Sequence, residues 1–83
     1  MNEVKLIDFD LDQLQHILDE VVAGIHRLDS FDEIKSYKFY GCLEFASYDE
    51  QKTINRYLNL CLWKTQILTA IGFVTRRQQV NSN

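Results

Sequence analysis

Cys42 and Cys61, with His16 and His26, are the side chains of this 83-residue chain best suited to holding a metal ion or activating a nucleophile. Zinc sites in short chains draw their ligands in pairs roughly two to five residues apart, so that a single turn can present both. Here the cysteines are nineteen residues apart and the histidines ten. The spacing predicts no metal and no other cofactor. Cysteines among apolar neighbours read as small hydrophobes, reduced in a cytoplasmic setting. His16 beside Gln15, and His26 beside Arg27, read as solvated. For nucleophilic catalysis the candidates are Ser30, Ser36 and Ser47, of which Ser30 and Ser47 stand where helices should begin. Gly24, Gly41 and Gly72 are isolated, so no glycine-rich loop cradles a phosphate. The carboxylate pairs Asp19-Glu20 and Asp32-Glu33 fall on exposed faces or first turns, where acids are favourable without any catalytic role. The expectation is a protein that is not an enzyme.

A denser signal lies between Tyr37 and Tyr48. Tyr37, Phe39, Tyr40, Phe45 and Tyr48 are interleaved with or close to Lys35, Lys38 and Lys52. Aromatic rings flanked by lysines can stack the bases of single-stranded nucleic acid. Asp32, Glu33, Glu44, Asp49 and Glu50 would repel that backbone, so core or protein interface is the favoured reading.

These residues need helices to position them. Three capping boxes punctuate the chain: Asp10…Gln13, Ser30…Glu33 and Ser47…Glu50, each with an acceptor at the N-cap and a side chain three residues on that reaches back. After the first, Leu11, Leu14, Leu18, Val21, Ile25 and Leu28 recur every three or four residues, and Ile17 and Val22 widen the stripe to that of a bundle helix. Gly24 inside it costs about 1 kcal/mol relative to alanine, which implies a close neighbour. Ahead of it, Val4 and Ile7 are in step with the helix, as an arm that docks on the core would be. After the second box, Phe31, Ile34, Tyr37 or Lys38, Cys42 and Phe45 fit a helical face. The run 37–45 also alternates in part like a strand, but a strand there would have only a second copy to pair with. Gly41 is the expected kink or break.

The third box opens the most apolar stretch, ending near Gly72. It carries two lines at helical spacing: Ile54, Leu58, Cys61, Thr65, Leu68, Gly72, and Tyr57, Leu60, Lys64, Ile67, Ile71, Val74. A helix apolar on two sides must be covered on both. A chain this short buries roughly 60–65% of its surface and is marginal alone, so the second cover is expected from another copy or another protein.

Composition agrees with an all-α class. Nearly half the residues are apolar, there is no proline, and the five Phe, four Tyr and one Trp are too many for a disordered chain. The net charge of −3 divides into −8 through Glu50 and +5 after it. The simplest reading is an acidic N-terminal layer beside a basic helix. The alternative is a basic end (Lys52, Arg56, Lys64, Arg76, Arg77) that meets nucleic acid or anionic lipid. Met1–Asp12 is acidic with no continuous apolar core, which predicts no leader. Leu58–Val74 contains Asn59, Lys64 and Gln66, which argues against a membrane span. In general make-up, though in no quotable motif, the chain resembles small accessory proteins of large phages and other mobile elements.

The sequence therefore predicts one all-α domain over 1–83, a small three-helix bundle of about 11–28, 31–46 and 48–73, completed by homodimerisation. Residues 1–9 form an N-terminal arm and 78–83 a frayed tail. The line through Ile54, Leu58, Cys61 and Leu68 is expected to meet the first helix. Tyr57, Leu60, Trp63, Ile67 and Ile71, joined by Tyr37 and Tyr40, are expected to form the partner interface. The expected role is a cytoplasmic regulator, adaptor or inhibitor that binds a protein. A dimeric nucleic-acid-binding regulator and a peripheral membrane accessory protein are the alternatives.

Overall fold

The computed structural model describes residues 5–81 and is helical throughout, with no strand among those residues. A 3-10 turn at Leu6–Asp8 precedes three α-helices: α1 at Leu11–Asp29, α2 at Asp32–Tyr40 and α3 at Tyr48–Asn81. The long helices α1 and α3 pack antiparallel. Leu14, near the start of α1, meets Ala70 and Val74, whereas Leu28, near its end, meets Ile54.

Two of the expected capping boxes close. Asp10 Oδ1 accepts from the Gln13 amide at 2.8 Å, and the Asp10 amide donates to Gln13 Oε1 at 3.0 Å. At the start of α3, Ser47 Oγ accepts from the Glu50 amide at 3.3 Å and the Ser47 amide donates to Glu50 Oε1 at 3.1 Å. The box expected at Ser30…Glu33 does not form. α1 runs on through Asp29, leaving Ser30 in helical geometry (φ −78°, ψ −13°), and its hydroxyl donates back to the Arg27 carbonyl at 2.9 Å. Phe31 becomes the N-cap of α2, with no side-chain cap.

α2 is also shorter than the expected 31–46. Gly41 stops it by adopting φ 71°, ψ 18°, a left-handed geometry that glycine enters without steric cost, and its amide donates to the Tyr37 carbonyl at 2.8 Å. The segment from there to Ser47 is irregular, so neither the longer helix nor the strand is present. Cys42 lies in this loop and is exposed, against the expectation of a buried thiol; Cys61 is half-buried, and both are free.

α3 continues to Asn81, well beyond the expected end near 73. Gly72 does not enter left-handed geometry, Val74 is buried, and Arg77 donates to the Ile7 carbonyl at 2.9 Å. Contacts past Gly72 therefore hold the helix. The arm docks through Leu6 and Phe9, whereas Ile7 projects outward. Val4 lies outside the described residues, as do 82 and 83 at the far end of the tail.

Of the line expected to meet α1, Ile54 does so at Leu28, but beyond it the two apolar lines of α3 are used the other way round. Tyr57, Leu60, Ile67, Ile71 and Val74 turn inward, joined by Ile54, while Leu58 and Leu68 are exposed. The inward line is interrupted at the exposed Lys64, and apart from Ile67 the buried residues fall into two clusters on either side of it. One joins Leu28, Ile34 and Ile54; the other joins Leu14, Ala70 and Val74. Gly24 marks the close approach of α1 to α3, where an added Cβ would lie 3.3 Å from Leu60 Cδ1.

Candidate protein-interaction surface

The long third helix gives this molecule its shape and its exposed surface. Principal extents are 54 × 30 × 18 Å, with a radius of gyration of 16.3 Å, where a compact domain of this length would have about 12 Å. Accessible surface is 6481 Å², against about 5,200 Å² for a compact monomer of this mass. Most of the exposed large apolar side chains lie in two places.

One is the outer face of α3. Leu58, Leu62 and Phe73 share this face and remain accessible, Leu62 at 58% and Phe73 at 54%, while Leu68 and Trp63 are accessible on its two flanks. Thr65 and Thr69 lie among them. Their hydroxyls donate to the carbonyls of Cys61 (3.2 Å) and Thr65 (3.0 Å), one turn back in each case. Self-bonded in this way, the threonines add no unmet polar group to a contact. Ile7 extends this surface beside Phe73, across a shallow groove also lined by Leu6, Gln66 and Thr69.

The other is the aromatic end of the molecule. Phe39, 82% exposed, packs edge-on against Tyr40 with ring centroids 5.0 Å apart, and Tyr40 lies 5.6 Å from Phe45. Tyr48 is exposed too, with the Lys52 ammonium 4.6 Å above its ring. Tyr37 instead turns into the cluster of Leu28, Ile34 and Ile54. Close by, Lys38 forms an ion pair with Asp29 and sits 5.3 Å from the centre of the Tyr57 ring. The hydrogen bond from Lys38 lowers the pKa of Asp29, and the same bond raises that of Lys38. Burial raises that of the Tyr57 hydroxyl.

The seven residues expected at a partner interface thus divide. Trp63 and Tyr40 are exposed. Tyr37, Tyr57, Leu60 and Ile71 are half-buried against the two clusters, and Ile67, at 0% exposure, has no surface left to offer. Leu58, Leu62, Leu68, Phe73 and Phe39 are accessible as well, though the sequence pattern did not place them at the interface. The two lines carry no signal that separates them, since one includes Thr65 and Gly72 and the other includes the charged Lys64.

His16 and His26 are exposed, His16 with Nε2 3.4 Å from Glu20. Among the described residues no three His, Cys, Asp or Glu side chains gather into a possible metal site, and no helix is long and apolar enough to cross a membrane. Compared with protein-family profiles, curated proteins and solved structures, the chain matches none.

Proposed function

We propose that the chain is a non-enzymatic interaction module, a small helical regulator, adaptor or inhibitor that works by binding protein, and that it associates with a second copy of itself across the outer face of α3. The observation that carries this reading is the row of large apolar side chains left accessible on that face, from Leu58 through Leu62 to Phe73. A face of this kind is an interaction surface more often than an idle one. The aromatic end, with Phe39, Tyr40 and Tyr48 exposed, supplies rings of the sort that dominate binding energy at protein interfaces. Two free thiols, one of them exposed, suit a reducing compartment such as the cytoplasm.

Light scattering on the eluting protein tests the association. The wild type should run as a dimer at about 100 µM. Leu62→Asp with Phe73→Asp should give a monomer of unchanged helix content, because neither side chain belongs to the buried clusters. A wild type that stays monomeric at millimolar concentration would remove the second copy from the proposal.

A further inference from the structure

Arg27 on α1, and Lys52 and Arg56 on α3, are scattered in sequence but line one cleft. The cleft lies between the last turns of α1 and the first turns of α3. Its remaining lining includes Leu28, Phe31 and Leu60. The volume is about 510 Å³, within the range of roughly 300–1,000 Å³ typical of small-ligand sites. Lys52 and Arg56 stand one helical turn apart on α3, so they share a wall. No carboxylate forms an ion pair with any of the three cations among the described residues.

We infer that this cleft binds a small amphipathic anion, its charged group held among Arg27, Lys52 and Arg56 and its apolar body resting on Leu28, Phe31 and Leu60. Guanidinium groups match the planar, multidentate geometry of carboxylate and phosphate oxygens, and a partly enclosed site strengthens each contact over its value in open water. The half-exposed Phe31 ring offers a ring-sized body a face to cover. Asp49 also lines the cleft and offsets one of the three positive charges. A long polyanion is the poorer occupant. The cationic lining is short, and the outward side of α1 carries exposed Asp12, Asp19 and Glu20, which would repel a continuing phosphate backbone. This inference stands independently of self-association through α3.

The test is a titration followed by amide NMR, with phenyl phosphate and phenylacetate as probes, inorganic phosphate as the anion without a body, and benzyl alcohol as the body without an anion. At least one aromatic anion should shift Gly24, Thr53 and Leu60 saturably, and more tightly than either partial probe. A phosphate-only response among the two aromatic anions would identify phosphate as the preferred group, and an equal response would identify any compact anion. Arg27→Gln and Arg56→Gln should each weaken binding about three- to tenfold. Arg76→Gln, outside the cleft, should leave it unchanged. Asp49→Asn should tighten binding about twofold, a gain that misfolding cannot imitate. The inference is overturned if neither aromatic anion saturates, if benzyl alcohol binds as tightly as they do, or if Asp49→Asn weakens binding.

Discussion

The two ends of α3 are covered by different amounts of chain. At its start, Ile54 is enclosed by Leu28 of α1 and Ile34 of α2, and Tyr37, Leu43, Ala46, Tyr57 and Leu60 close the edges. Three helices and a loop contribute there. At its far end, Ala70 and Val74 meet only Leu14 of α1, with Leu6, Phe9, Leu11 and Ile71 around them. Two helices and a short arm contribute. A helix has apolar capacity on more sides than one neighbour can fill. The first end comes close to filling it, whereas the second leaves Leu68 and Phe73 outside. The difference leaves Leu68 and Phe73 uncovered at the second end, but accessible apolar side chains begin earlier, at Leu58 and Leu62, so the extra cover at the first end reduces this surface without removing it.

The largest effects should come from the centres of these clusters. Ile54→Ala and Leu14→Ala each remove a fully buried side chain and should each cost about 2–5 kcal/mol in urea unfolding. Hydrogen exchange would separate them. Ile54→Ala should speed exchange in α2 and the end of α1, while Leu14→Ala should open the last turns of α3 and spare α2. Equal loss of protection at both ends in both variants would show that the clusters melt as one unit.

The serine caps give a smaller contrast between sites that look alike in sequence. Ser47→Ala should lower stability by about 1 kcal/mol, since it deprives the Glu50 amide of its acceptor. Ser30→Ala should cost only a few tenths, because that hydroxyl serves an exposed carbonyl in the last turn of α1 that water can serve instead. Matching losses, measured by thermal melts, would contradict the cap geometry described here.

Much of the architecture was legible because periodicity and capping are local. α1 and the starts of α1 and α3 could be placed from Leu11–Leu28, Asp10 and Ser47 alone. What escaped depends on contacts across the chain. Whether Gly72 ends a helix is decided by Val74 and by Arg77 reaching the Ile7 carbonyl, a partner seventy residues away. Which apolar line of α3 faces inward depends on the path of α1 and on the cover that α2 and the arm provide. The grouping of Arg27 with Lys52 and Arg56 likewise requires the antiparallel pairing of α1 and α3 to be known.

Next in size is the pair of helical glycines. At Gly72 nothing lies within 4 Å of an added Cβ, so Gly72→Ala should stabilise the single chain by about 0.5–1 kcal/mol. At Gly24 the same gain is opposed by Leu60 Cδ1 at 3.3 Å, and the net change should be near zero. If a second copy approaches α3 closely at Gly72, the alanine should also weaken the dimer while raising the melting temperature of the monomer.

The subtlest effect concerns protons at the start of α3. Glu50 accepts from the Ser47 amide, and this bond holds its pKa below the ordinary 4.5. A carboxyl depressed in the folded state adds stability that is complete above its unfolded value. As pH falls below 4.5 the unfolded chain takes up the proton first, so the contribution declines until the folded carboxyl is protonated as well. Asp29, lowered by its hydrogen bond from Lys38, acts in the same direction, so the wild-type decline contains both. Glu50→Gln retains an acceptor for the Ser47 amide but cannot titrate. It should therefore leave a shallower loss of melting temperature between neutral and acid pH, and the slope should flatten further when Asp29→Asn is added. An acid slope that Glu50→Gln leaves untouched would mean that the cap carboxylate is no more stabilised in the folded chain than in the unfolded one, and that the acid sensitivity of this fold resides elsewhere than in this cap.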